Sequence, residues 1–240
     1  MQYTRRHLMF SAAALAALPR AGHAQPPGPC TPPSLGALSQ RMGKAWLCSA
    51  DAALAAPARL VLAASQAAFM QQLVQLQQRT VGPEQAGGLR ALARRYEDYG
   101  ALLAGTPGAD SHRTLLGTAS EMLTLAQLAQ GPHDELPWQM RLASRQRLMS
   151  QRVALLGLAN PAAETTRRER QSAIYEFEAG LQTLHRAGDA ALRERLQAAE
   201  AAWVPLRQAA ATARPAPVFV ASERVLAAMD AVTEHCARLG

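Results

Sequence analysis

The chain has 240 residues, 25 Lys and Arg against 18 Asp and Glu, a formal net charge of +7, and is 49% hydrophobic but only 5% aromatic. It is long enough to bury a core as one or two domains. No Lys/Arg cluster is interleaved with aromatic residues, which argues against a nucleic-acid partner, and sparse β-branched residues beside abundant Ala, Leu, Gln, Arg and Glu argue against a sheet.

The first residues read as an address. Thr4-Arg5-Arg6-His7-Leu8-Met9 matches a twin-arginine export pattern, an apolar run from Ser11 to Leu18 follows, and Gly22-His23-Ala24 places small residues at a cleavage point. Residues 1–24 are therefore expected to leave as a signal, and the apolar run is too short to span a bilayer. Arg5, Arg6 and Arg20 leave with it, so the formal charge falls from +7 to +4. That mild excess suits a small anion. The expected location is the periplasm. Residues 25–34, rich in Pro and Gly, read as a linker.

From Leu35 onward the predicted elements are helices divided by Gly and Pro breaks. Leu62, Phe69, Leu73 and Leu76 form one apolar stripe; Leu89, Leu92, Tyr96, Tyr99 and Leu103 form the next; Leu115, Met122 and Leu125 mark another. Gly131-Pro132 to Pro137 is a seam. Beyond it, Leu142, Met149, Val153 and Leu156 share a face until Asn160-Pro161. Ile174, Phe177, Leu181 and Leu184 come next, then Leu192, Leu196, Trp203 and Leu206. After the Arg214-Pro215-Ala216-Pro217 break, Val225, Met229, Val232, Cys236 and Leu239 complete the set. Steps of three and four place each stripe on one side of a helix that needs partners. Antiparallel helices with short connections meet that need.

Two short phrases occur twice. Leu38-Ser39-Gln40-Arg41-Met42 returns as Met149-Ser150-Gln151-Arg152-Val153, and Ala119-Ser120-Glu121 returns as Ala221-Ser222-Glu223. The offsets are 111 and 102 residues, so the chain reads as duplicated. The predicted fold is all-α, as two tandem antiparallel four-helix-bundle repeats: residues 35–131 and residues 138–240.

On a wheel of about 100° per residue, Arg145 and Arg152 flank the core face of the helix from Leu142 to Leu158. Arg147 falls opposite, with Ser150, Gln151 and Ala154. The corresponding face of the first repeat carries Gly36, Ser39, Gln40 and Gly43. These small polar faces are expected to meet between the repeats, with Arg147 directed into the seam. Paired guanidinium N–H donors there could hold a planar oxyanion. An ordinary solvated or salt-bridged arginine is the competing reading.

The segment Gln146-Arg147-Leu148-Met149-Ser150-Gln151-Arg152-Val153-Ala154 resembles the first-helix motif of PilJ-type and NarX-like periplasmic sensor domains, and Leu38 to Leu47 resembles it from its middle onward. Phe177, the Trp203 region, Ser222-Glu223 and Met229-Asp230 resemble later landmarks. The resemblance covers nearly all of Ser34 to Leu239 as two copies. It implies helical bundles outside the inner membrane, often fused to kinases or chemotaxis transducers, whose best-understood members sense nitrate or nitrite. There the anion lies between two equivalent first helices, held by the first Arg of the motif from each side. That Arg corresponds to Arg147. The matching position in the first repeat is Gly36, so a two-Arg clamp within one chain is incomplete. Either Arg147 works with a new partner, or a homodimer brings two Arg147 side chains together, or the pocket takes something else or nothing. Arg41 and Arg152, the second Arg of each copy, fit a structural role better than ligand contact.

The leading expectation is an exported sensory or solute-binding module for a small inorganic oxyanion, nitrate or nitrite. Its ligand-binding set is Arg147, Ser150, Gln151, Arg41, Gln40, Ser39 and Arg152. It would act through a membrane sensor, transducer or transporter, because no output module is read up to Gly240. The alternative is a ligand-free helical protein-interaction scaffold. An enzyme is not expected: His112, His133, His185 and His235 are scattered, and no Glu-x-x-His pair suits a di-iron bundle. No cofactor is assigned. Absence of Cys-x-x-Cys-His removes covalent haem, while non-covalent haem between Met and His stays open. Cys30, Cys48 and Cys236 allow one disulfide plus one thiol, with Cys236 reading as a buried thiol on its stripe.

Overall fold

In a computed structural model, residues 34–79, 82–130 and 136–239 are described; the stretch expected to be a signal, nearly all of the expected linker and most of the Gly131–Pro137 break lie outside them. Eight helices follow in order: α1 (Leu35–Cys48), α2 (Ala55–Gln78), α3 (Pro83–Ala104), α4 (Ala109–Gln130), α5 (Trp138–Leu158), α6 (Glu164–Ala187), α7 (Ala190–Thr212) and α8 (Pro215–Leu239). The protein is all-α: no strand occurs among the described residues.

Local chemistry sets the helix ends. Ser34 caps α1, its Oγ accepting from the Ala37 N–H at 3.2 Å, and Asp189 caps α7 through the Leu192 N–H at 2.7 Å. Each side chain satisfies a backbone donor that has no partner within the helix. Pro83 opens α3 where its missing N–H costs nothing. The turn after α5 places Asn160 at φ 49°, a left-handed conformation that Asn tolerates better than most residues.

The helices belong to one compact unit. α1 packs on α2, α3 and α4, while α3 also meets α2 and α4; α5 packs on α6, α7 and α8, while α7 also meets α6 and α8. Contacts of α1 with α5 and with α8 join the two sets. This central position explains the composition of α1. Arg41 is the one residue of its 14 that is not buried, and only Arg41 and Lys44 are charged. α5 is buried on nearly as many sides.

Small residues allow the close approach. A Cβ on Gly43 would lie 2.6 Å from the Tyr99 hydroxyl of α3 and 3.2 Å from Leu155 Cδ1 of α5. A Cβ on Gly157 of α5 would lie 2.9 Å from the Ala210 Cα of α7, where backbone cannot yield. Two aromatic stacks close the remaining space: Phe69 with Tyr96 at 4.6 Å between centroids, and Phe177 with Trp203 at 4.0 Å. Of the stripe Leu142, Met149, Val153 and Leu156, the last three are buried and Leu142 is only partly so, at the edge of the core.

Candidate functional site: a buried charged seam of α1, α5 and α8

The helices joined at the centre of the fold bring three cations and two carboxylates together. Lys44 of α1 is wholly buried. Its Nζ donates to Gln151 Oε1 of α5 at 2.8 Å, to Ser222 Oγ of α8 at 2.9 Å and to Glu223 Oε1 of α8 at 2.5 Å. Those three acceptors match the three N–H bonds of an ammonium. Phe219 of α8 lies beneath it, 5.5 Å from Nζ to the ring centroid. Arg41, one turn earlier on α1, grips the same carboxylate with both arms, Nε to Oε1 at 3.1 Å and Nη2 to Oε2 at 2.5 Å. Glu223 therefore holds two cations of α1.

Arg147 of α5 is 1% exposed and lies with its Nη2 2.6 Å from Asp230 Oδ1 of α8. The Asp230 side chain is 37% exposed. A deeply buried guanidinium thus meets a buried carboxylate oxygen, Oδ1, of a side chain whose remaining atoms are partly exposed.

The two acids respond oppositely. Burial would raise the Glu223 carboxyl, but Lys44 and then Arg41 overcome it and hold it down at about 2. Burial lifts the Asp230 carboxyl above the ordinary aspartate range, with the charge of Glu234 adding to the rise and Arg147 opposing it incompletely. Burial also lowers Lys44 below the ordinary lysine value, against the pull of Glu223.

The remaining sequence-predicted site residues spread from this seam. Gln151 joins it directly, its amide also donating to the Ser222 carbonyl at 3.2 Å. Gln40 makes the equivalent bond in the first half, to the Ala119 carbonyl of α4 at 2.9 Å. Ser39 and Ser150 turn their hydroxyls back to the Gly36 and Arg147 carbonyls, and the Tyr99 hydroxyl donates to the Ser39 carbonyl at 2.9 Å. Arg152 points outward to Glu169 of α6 at 2.7 Å. Arg147, Gln151 and Arg41 thus share the α1–α5–α8 region; the side-chain bonds of Ser39 and Gln40 stay within the first half, and Arg152 faces α6.

Sequence reasoning left three members of the seam without a role. Lys44 is the one lysine in the chain, and Glu223 and Asp230 enter the sequence only as parts of echoed or family-like phrases. The available signal was the chain's one lysine inside the otherwise uncharged, largely apolar Met42–Cys48 stretch of α1, a placement that burial permits only with a partner. The echoed phrases do not reproduce the pattern. The residue of α5 at the Lys44 position is Leu155, and Glu121, the echo of Glu223, pairs instead with Arg95 on the surface.

Cys48 and Cys236 are free, buried thiols; Cys30 lies outside the described residues. Of the histidines, His235 contacts Asp189 at 3.2 Å and His185 contacts Glu200 at 3.7 Å. No group of three or more His, Cys, Asp or Glu that could hold a metal occurs among the described residues. No described helix is long and apolar enough to cross a membrane. Comparison of the chain with family models, with curated proteins and with solved structures finds no match.

Proposed function

We propose that this chain is an exported sensory or solute-binding module, two four-helix repeats in tandem, whose Arg147–Asp230 pair is an exchangeable site for a small oxyanion. The ion pair at 2.6 Å carries the reading. A carboxylate and a nitrate present a guanidinium with the same planar pair of oxygens. Asp230 occupies the position an incoming anion would take, and burial already disfavours its charge. The paired Oδ1 is buried, but the rest of the Asp230 side chain is partly exposed, so outward rotation of this one side chain would open the guanidinium to a small anion. The resemblance to PilJ-type domains assigns ligand contact to the same arginine. In this reading Arg147 makes the anion contact, the buried Gln151 and Ser150 hold the neighbouring part of α5 in place, Arg41 and Arg152 are structural, and displacement of Asp230 frees α8 to report binding to a membrane partner in the periplasm.

Calorimetric titration of the mature chain with nitrate and nitrite tests it. Heat is expected from the wild type, stronger binding from Asp230→Asn because the competing charge is gone, and none from Arg147→Ala. Absence of heat from both folded wild type and Asp230→Asn overturns the proposal.

The second reading, a ligand-free scaffold for protein interaction, is favoured by a separate observation. Lys44 already has three acceptors and Arg41 a two-armed carboxylate, so this part of the seam is closed on itself. The same titration separates the two.

A further inference from the structure

We propose that the outer face of α2 is the interface of a twofold homodimer, in which two α2 helices pack antiparallel with Ala67 at the axis. α2 turns Ala58, Ser65, Phe69 and Leu73 inward. On its opposite side Leu60, Ala63, Ala67, Met70 and Val74 are exposed, Leu60 by 73%, Met70 by 42% and Val74 by 43%. Their spacing alternates three and four, the a/d pattern of a helix that packs on another helix. The stripe is apolar throughout, and the whole of α2 carries one charge, Arg59 near its start.

The counterpart helix shows that this is not the general fate of such a surface. α6 packs on α5 as α2 packs on α1. Yet α6 carries eight charged residues, and around one exposed aromatic residue, Tyr175, its outer face is polar, with Arg168, Gln171, Gln182 and Arg186 exposed. One of two similarly placed helices has kept the chemistry of a water-facing surface, and the other has that of a covered one.

The size and charge pattern selects a second copy as the cover. Read outward from Ala67, the stripe is small in the middle and large at both ends. In an antiparallel pair centred there, Ala67 meets Ala67 of the copy and lets the backbones approach. Met70 lies over Ala63 and Ala64 of the copy, and Leu60 meets Val74. A twofold interface requires such self-complementarity. Between Leu60 and Gln78 neither helix brings a charge, so two copies meet without repulsion, whereas a charged partner would find no counter-ion. The 24-residue helix spans about 36 Å. A single helix pair is small among stable interfaces, which points to dissociation in the micromolar range.

Sedimentation velocity of the mature chain from low to several hundred micromolar tests the proposal. The expected result is a concentration-dependent dimer that Ala67→Arg reduces to monomer, with the circular dichroism and melting of the wild type because position 67 is exposed. In a Cys30→Ser background, Ala67→Cys is expected to form a covalent dimer on mild oxidation, and Tyr175→Cys on α6 to remain monomeric. A monomer at every concentration, an Ala67→Arg dimer as strong as wild type, or equal cross-linking through Tyr175→Cys overturns it. So does a monomer that sediments with protein-free phosphatidylglycerol vesicles, which would make the face a lipid-binding one.

Discussion

Lys44 and Glu223 are bonded at 2.5 Å between α1 and α8, joining the first helix of the described fold to the last. The pair is unequal: Lys44 is wholly buried, while Glu223 keeps 24% of its side chain exposed and has Arg41 as a second partner. The cost of removing each residue should differ accordingly. Glu223→Ala strands a buried ammonium with only Gln151 and Ser222 as acceptors, and should cost about 3–5 kcal/mol. Lys44→Met removes the buried charge, fills its volume and leaves Glu223 with Arg41, and should cost less than about 2 kcal/mol. Urea unfolding of both variants checks the order; equal losses would show that the pair is not organised this way.

The depressed Glu223 carboxyl makes stability depend on acidity. A carboxyl near 4.5 in the unfolded chain and about 2 in the folded one binds more protons when unfolded across that interval. Its contribution is therefore complete above about 4.5 and is lost as pH falls toward 2, roughly 3 kcal/mol in all. Asp230 acts in the opposite sense: raised on folding, it favours the folded state most below the ordinary aspartate value, and that contribution fades as pH rises through its folded value. Stability measured from pH 5 to pH 2 should fall less steeply in Glu223→Gln than in wild type.

Gly43 and Tyr99 should be coupled. Gly43→Ala sets a methyl 2.6 Å from the Tyr99 hydroxyl, an overpacking that costs about 1–3 kcal/mol before the gain in helix propensity. Tyr99→Phe removes the hydroxyl, so Gly43→Ala should be close to neutral in that background. A double-mutant cycle by thermal melting tests this; additive effects would place the clash elsewhere. Gly157→Ala has no such remedy, because it meets the backbone of Ala210.

The two described thiols should be silent in the native protein. Burial pushes Cys48 up to about 12 and Cys236 up to about 11, so neither is a thiolate near neutral pH. In a Cys30→Ser background, a thiol reagent such as dithionitrobenzoate at pH 8 should titrate none in buffer and two after denaturation. Rapid native reaction would show that α1 or α8 opens readily.

Much of this architecture is legible locally. Ser34, Asn160-Pro161 and Pro215 mark helix limits because caps and breakers act on neighbouring backbone groups, and the Phe177, Leu181 and Leu184 stripe finds its core by the helical period alone. The doubled Ser-Gln-Arg phrase picks out α1 and α5, which proved to be the helices packed together at the centre. Direction on the wheel was harder to use. The wheel directs Arg147 toward the other half, but on a helix buried on nearly every side the carboxylate that meets it is Asp230 of α8, in its own set of helices.

Helix identity, helix limits and the existence of an echo between halves were determined by residues close in the chain. The pairing of each buried charge was decided only when the helices came together. Whether Lys44 is a liability or a fastening depends on a carboxylate 179 residues away, and whether Glu121 and Glu223, alike in their local phrases, face water or a lysine depends on which helix lies across from them. Periodicity fixes which side of a helix is apolar; charge neutralisation requires distances of a few ångströms between helices, and those are set by how all eight pack.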